Sequence, residues 1–551
     1  MAKTGYTVKK GRPCENYRLG DIPGEFGGDM IFLSQITKLK NNLLARVNPE
    51  RFMLVFSLAV VLIVNFQLLA GFFYGDDFLL FYQISNWNSL EFIFSNFGGH
   101  LFIFRNLIFY CMFKLFGLNS VAYFSTVLLA HLGSAYILYK IIYLLTDKPY
   151  IAAAGIMIWG ICPVNYAALA WYSTYGMILV GFFFLLFLYD LLRIEKGKIL
   201  FSMTIVIRWS IYIFIMAASY GTGLAIACLS PLAIVIILWK NDKKWKIAAS
   251  VLPVIAVILL LFIFKDSIYY FFSGEVQNSK PVALGIALSN YKIILEMFIR
   301  MCAYGIYCMA AFPILFLSST MKFSTTAFIS IPVMVLFIVL FFCSKEYRRH
   351  YAVLSIFFLG LIGLTAYGRA WFFNFWGVPM SSASITPRYY YIIFIVVVLI
   401  LSLMADELDD IFPKISKAIM PFVFIVIVIS IYPSIDLAKK IDIYNTSINE
   451  KKLYYNTLTD IEKTIRAYPE GSSVFIDNQM NDHFSSLLSS ATGFPGKAAI
   501  YSIKYPNNTV EGRRVYFVEK DCPVADRNIE KKRWRISSLI VSACDLNKKS
   551  K

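Results

Sequence analysis

Apolar runs of about twenty residues recur from Phe52 to residue 436, separated by short polar or basic stretches. Each run is long enough to cross a bilayer as a helix. The pattern predicts eleven spans, near residues 52–74, 120–145, 150–170, 176–193, 199–218, 222–240, 247–265, 324–343, 351–367, 389–404 and 418–436. Two stretches break the pattern. Residues 89–117 are apolar but carry Glu91, His100, Arg105, Asn106 and Lys114, so they read as one or two helices lying in the membrane interface. Residues 288–320 carry Glu296, Arg300 and Pro313. A single crossing there would put the basic loop KEYRRH (345–350) on the wrong side, so this stretch is expected along the interface or as a re-entrant pair.

After residue 437 the period changes. INEKKLYYNTLTDIEKTIRA (448–467) is amphipathic at helical spacing, SVFIDN and RRVYFVE read as strands, HFSSLLSSATGF as a second helix and RISSLIVSA as a further strand. The expected architecture is an all-α multi-pass transmembrane bundle of about eleven spans, with interfacial helices in its first outer loop and a small C-terminal α/β domain. The corresponding boundaries are a tail at 1–50, a membrane domain at 51–437 and the α/β domain at 438–551.

Composition agrees with this class: 58% of residues are hydrophobic and only 16% charged, against ~25% charged in an average soluble domain. The net charge of +18 tempts a nucleic-acid reading. The basic residues, however, cluster in the short loops between spans, as the positive-inside rule requires, so no nucleic-acid partner is expected. Lys38, Lys40, Arg46 and Arg51 precede the first span. They place the N-terminus in the cytoplasm and the loop after span one outside, with the first span an uncleaved anchor. The same count places the loop 367–391 and the α/β domain outside, and DKPY, KNDKKWK, KEYRRH and ADELDDIFPKISK inside. The nine cysteines form no CxxC pair or zinc spacing. Cys522 and Cys544 share the α/β domain, and a disulfide between them is expected. GEFGGD near the N-terminus lacks the context of a phosphate loop.

The candidate chemistry starts at YGDDFLL. Asp76 and Asp77 stand where the first apolar run ends. An ionised carboxylate costs roughly 2.5 kcal/mol or more at a membrane centre, and neighbouring carboxylates repel. The pair therefore either terminates a span and hydrates a loop, or lines a wet, working site. The same face carries His100, Arg105, Arg369, Trp371, Trp376 and Arg388, followed by Tyr389. Cations at that depth suit a lipid-linked phosphate. Singly, His100 reads equally as a satisfied interfacial histidine and Arg105 or Arg388 as snorkelling side chains. Trp171 and Tyr172 read as an interfacial aromatic belt.

The order of these features resembles the GT-C superfamily of integral membrane glycosyltransferases, in the branch of protein O-mannosyltransferases and aminoarabinose transferases. Asp76-Asp77 resembles the acidic pair of that branch. His100 and Arg105 resemble its next two polar positions, Phe116-Gly117-Leu118-Asn119 its turn, and Pro387-Arg388-Tyr389 its late outer-loop Arg-Tyr. The resemblance is best over residues 50–170. A proline common between the His and the Arg is absent, and SYGTG (219–223) stands where many relatives have Ser-Lys-Glu-Thr. The resemblance implies an inverting transfer of a sugar from a polyprenyl-phosphate donor to an acceptor hydroxyl (glycan, lipid or protein) outside the cytoplasm, without a metal cofactor, in a bacterial inner membrane. Asp76 is then the base, Asp77 binds or orients the acceptor, and Arg388, Arg105, His100 and Arg369 hold the donor phosphate. Tyr389, Trp371 and Trp376 line the pocket. A transporter or lipid-linked glycan flippase is the rival class; it tends to show two halves related by symmetry, and none is visible here.

Overall fold

A computed structural model describes residues 48–97, 100–239, 243–263, 290–311, 323–375, 377–440, 442–478, 497–505, 509–519 and 540–542. The chain divides into two units, residues 1–52 and residues 53–551. In the second, the helical bundle and the C-terminal α/β segment pack as one body.

Among the described residues, eight helices are long and apolar enough to cross a membrane. A bent pair counts as a ninth, and three more apolar helices are shorter. All eleven expected spans are helices. They are α1 (Pro49–Asn65), α5 (Ser120–Thr146), α6 with α7 (Pro149–Gly160, Pro163–Leu169), α8 (Tyr175–Glu195), α9 (Met203–Ala217), α10 (Gly221–Ile237), α11 (Lys243–Ile263), α13 (Phe323–Cys343), α14 (Arg348–Phe375), α16 (Tyr391–Ile411) and α17 (Pro413–Ile429). The chain is a multi-pass all-α membrane bundle. Helices α5, α8 and α16 are mostly enclosed, whereas α13 and α17 present Phe328, Ile331, Phe342, Phe422 and Ile425 outward, as lipid-facing helices do.

Four expectations change. The first span stops at Ala70 in a 3-10 turn (Phe66–Ala70), and the chain then runs extended to α2 (Asp76–Asn86). The aspartates thus open a helix rather than close one, which places both carboxylates at its positive end. Helix α14 continues to Phe375, so Arg369 and Trp371 are helical rather than in a loop. Residues 291–310 form one continuous apolar helix, α12 (Tyr291–Ala310), packed along α13, α14 and α16. No re-entrant pair forms over that stretch, because its one internal ion pair, Glu296–Arg300 at 2.8 Å, spans a single turn on one face and leaves the rest apolar. The interfacial stretch is more divided than expected: α3 (Ser89–Ile93), a two-residue ladder between β1 (Asn96–Phe97) and β2 (His100–Leu101), and α4 (Ile103–Phe116).

The third span is broken by 59° between α6 and α7. Pro163, second in the pair's hinge after Cys162, has no amide to continue the ladder and suits a new helix start. The carbonyls freed by the break find side chains. Gly160 O accepts from Asn65 Nδ2 at 2.8 Å and from His131 Nε2 at 3.1 Å, and Trp159 O accepts from Asn165 Nδ2 at 2.7 Å. A carbonyl can only accept, so Nε2 of His131 carries a proton; Nδ1 meets the Tyr391 hydroxyl at 3.1 Å. The two carbonyls at the break are thereby satisfied where hydrocarbon would leave them bare.

One end of the bundle, the far end, gathers three loops that the charge count put on one side. Lys148 Nζ lies 2.9, 2.7 and 2.7 Å from carboxylate oxygens of Asp406, Asp409 and Asp410. Tyr347 Oη donates to Asp406 at 2.6 Å, and His350 meets Glu195 at 2.7 Å. The opposite end holds the candidate site.

The C-terminal segment continues through α18 (Ile431–Lys440) into α19 (Asp442–Arg466). Its sheet centres on β5 (Arg513–Glu519). β5 pairs in parallel with β3 (Ser473–Asp477), Val474 opposite Val515, and with β6 (Ile540–Ser542); it pairs antiparallel with β4 (Thr509–Val510). A helix not expected from the sequence, α20 (Lys497–Lys504), packs on α2 and α19. The expected helix HFSSLLSSATGF and the Cys522–Cys544 pair lie outside the described residues, as does residues 1–47 of the N-terminal tail.

Candidate active site

Asp76 and Asp77 occupy the first turn of α2 behind Gly75, whose φ of +51° and ψ of −110° favour a residue without Cβ. The two carboxylates have different surroundings. Asp77 is fully buried. Its Oδ1 accepts from Ser173 N–H at 2.6 Å and its Oδ2 from Tyr74 N–H at 3.0 Å. Burial pushes its carboxyl up to about 8; the two amides oppose that shift, and Asp76 and Glu450 reinforce it. Asp77 therefore ties the turn before α2 to the 3-10 turn Tyr172–Thr174. Both of its oxygens are engaged by backbone amides inside the protein. Asp76 remains partly exposed. Burial raises its proton affinity, and the guanidiniums of Arg105 and Arg388 act against that rise.

Arg105, expected on the donor phosphate, is only 2% exposed. Its Nη1 donates to Ser173 O at 3.1 Å and its Nε to Asn106 Oδ1 at 3.0 Å, while the guanidinium lies 3.7 Å from the Phe102 ring centroid. Asn106 in turn donates to Phe92 O at 2.9 Å. Burial pushes Arg105 down to about 9, with Asp76 opposing first. It braces the Ser173 turn from behind, and its charge acts on Asp76.

Arg388 is half-exposed, in the 3-10 turn Pro387–Tyr390 that leads into α16. Its guanidinium lies 5.1 Å from the ring centroids of both Trp171 and Tyr389, two cation–π contacts that orient it. Arg369 also lies over the Tyr389 ring, 5.8 Å from its centroid. Trp371, two residues further along α14, is about 200° around the helix from Arg369, so the two do not share a face. The His100 side chain and Trp376 lie outside the described residues.

Four contributors were not legible as site residues. Trp171, expected as a belt aromatic, stands edge-on to Tyr74 at 5.4 Å and beneath Arg388. Tyr220, in the SYGTG break, is buried at 5.6 Å from Phe102 and feels the charges of Arg369, Arg388 and Arg105. Ser173 serves both Asp77 and Arg105 through its backbone. Glu450 comes from α19: its Oε2 accepts from Gly75 N–H at 3.0 Å, and burial pushes it up to about 7. The departure of SYGTG from its relatives was the one available signal for Tyr220; nothing local marked Glu450.

No trio of His, Cys, Asp or Glu side chains among the described residues is arranged as a metal site. An apolar cavity of about 380 Å³ opens between α6, α16 and α17, lined by Gly155, Val398, Leu401 and Met420. It lies in the far half of the bundle and shares no residue with the Asp76 cluster.

The fold and the site together define a multi-pass membrane protein with a partly open carboxylate under the charge of one buried and one half-buried guanidinium at one end of its bundle. No family model and no curated protein matches the chain. Among solved structures it is similar to ArnT from Cupriavidus metallidurans bound to undecaprenyl phosphate, with 11% identity over 90% of each chain and a TM-score of 0.45. It is also similar to the Archaeoglobus fulgidus oligosaccharyltransferase tethered to an acceptor peptide, with 13% identity over 81% of this chain and 63% of that one and a TM-score of 0.41.

Proposed function

We propose that the chain is an inverting glycosyltransferase that moves a sugar from a polyprenyl-phosphate donor to an acceptor hydroxyl. The single observation that supports this reading most is the approach of Arg388, from a turn more than 300 residues later, to the first loop: its guanidinium lies 5.1 Å from the Trp171 ring, which stands edge-on to Tyr74 at 5.4 Å, and its charge acts on Asp76. The donor class comes from the sequence resemblance. The acceptor oxygen attacks the anomeric carbon as Asp76 takes its proton; a carboxylate with raised affinity suits that role near neutral pH. The bond from the anomeric carbon to the phosphate oxygen breaks on the opposite face, so the configuration inverts. The charge gathering on the leaving phosphate is met by Arg388 and Arg369. The reaction is proposed to occur at the extracytoplasmic face of a bacterial inner membrane, on a cell-envelope glycan such as O-antigen, or on a lipid or protein, and this reading uses no metal ion.

The test uses the full chain in lipid nanodiscs with a radiolabelled polyprenyl-phosphate sugar. Wild type should release the lipid phosphate and label the acceptor. Asp76→Asn should lose at least about a hundredfold in kcat while still binding donor, and Arg388→Ala should raise donor KM. Normal turnover in Asp76→Asn would sink the assignment. Movement of intact donor across a vesicle membrane without sugar transfer would favour the flippase.

A further inference from the structure

The C-terminal α/β segment enters the site at one atom pair. A helix N-terminus is ordinarily capped by a Ser, Thr, Asp or Asn side chain at the position before its first turn. α2 has Gly75 there, with no side chain to offer. That residue's own amide is bonded, in a capping box, by a Glu or Gln side chain three positions on; Phe78 stands there, and the Gly75 amide is anchored to Glu450, buried and 375 residues away in sequence. Neighbouring contacts hold the same helix. The Tyr454 ring lies 5.7 Å from that of Phe78, and Lys451 Nζ lies 5.4 Å from the Phe72 centroid. At the other end of α2, Asn86 Nδ2 meets Ser502 Oγ of α20 at 3.3 Å. Asp77 fixes the turn from inside through Tyr74 and Ser173. Residues 74–77 are therefore pinned by two carboxylates. The Asp76 carboxylate between them accepts no backbone amide among the described residues and is the one left open.

We propose that Glu450 is a positioning residue for Asp76: by holding the Gly75 amide it fixes the turn that presents the Asp76 carboxylate. The kinetic part of this inference rests on the glycosyl-transfer reading; the contact itself does not. The glycine is needed at φ +51°, and a glycine turn is also the easiest to deform. An external acceptor for its amide removes that freedom, and a shift of about 1 Å in a reacting group can lower a rate by about a hundredfold.

Two substitutions separate the hydrogen bond from the charge. Glu450→Gln keeps an oxygen for Gly75 N–H, and Glu450→Ala removes it. The full chain in nanodiscs gives two readouts. By hydrogen–deuterium exchange, the peptide covering residues 71–78 should exchange about tenfold faster in Glu450→Ala, and within about threefold of wild type in Glu450→Gln. In the transfer assay, Glu450→Ala should lose about tenfold or more in kcat with donor KM nearly unchanged, and Glu450→Gln should keep most of the activity. If Glu450→Ala does not fold, Glu450→Asp, one methylene short of the amide, takes its place. Wild-type exchange and kcat without the acceptor would overturn the proposal, and so would equal losses in Gln and Ala. If wild type transfers no sugar, the glycosyl-transfer reading fails by itself, while the exchange comparison still decides the Glu450 contact.

Discussion

Asp76 and Asp77 are adjacent and chemically identical, yet their roles diverge because a helix turns about 100° per residue. One carboxylate is left partly exposed and the other is buried in protein. Asp77→Asn should show the second role. An amide has one oxygen, so either Ser173 N–H or Tyr74 N–H would face an NH2 group and lose its acceptor. An unpaired buried donor costs about 1–3 kcal/mol, read as a lower unfolding temperature together with lost transfer. The pH dependence has a definite sign. The Asp77 carboxyl is raised from the ordinary carboxylate range to about 8, so its contribution is complete below about pH 4 and is lost as pH rises through about 8. Glu450, raised to about 7, adds to the same decline. Thermal stability of wild type should fall from about pH 4 to about pH 8 and level off above that, and the slope should flatten in Asp77→Asn. The Asp-Asp pair was legible in the sequence as a costly anomaly. Which aspartate works was not, because that depends on where residues 172–174 come to lie.

A chain break shapes the site at the level of elements. The SYGTG turn between α9 and α10 packs against the start of α8, where Gly176 lets the backbones touch: a Cβ there would sit 2.2 Å from Ser219 O. Phe104 N–H donates to Ala218 O at 3.2 Å, tying the same turn to α4. Gly176→Ala must push the turn away and carry Tyr220 out of the arginine cluster. Overpacking of this kind costs about 1–3 kcal/mol. The expected result is a lower unfolding temperature with at least a tenfold loss of transfer, about 1.4 kcal/mol of barrier, checked by thermal unfolding and the donor assay. The break itself was readable from its two glycines. Its partner was not, since Gly176 and Ser219 meet only when α8 and α9 pack. The same limit applies to residues 291–310: a charge rule applied loop by loop favoured an interfacial stretch, whereas packing against α13, α14 and α16 makes one helix of it.

Across the whole molecule, the two ends of the bundle carry separate work. Helix α16 runs from Tyr391 to Ile411, about 30 Å at 1.5 Å per residue, with Arg388 before its start and the Lys148–Asp406–Asp409 group at its end. Lys148→Ala would leave Asp406 buried without its cation. Removing one partner of a buried pair is destabilising, and the exposure of Asp410 reduces the effect to about 1–3 kcal/mol. Unfolding temperature should drop while donor KM and kcat stay near wild type. Activity lost in step with Asp76→Asn would show the ends to be coupled.

The sequence by itself determined the membrane class, the eleven helices and the polar positions worth testing, because hydrophobic period and loop charge are local properties that survive without any neighbour. Only the tertiary structure decided which charges do what. It buried Arg105 behind Ser173, set Trp171 under Arg388, and brought Glu450 from the far end of the chain to the amide beside Asp76. Electrostatic roles follow from distance and burial, and both are set by packing between segments hundreds of residues apart.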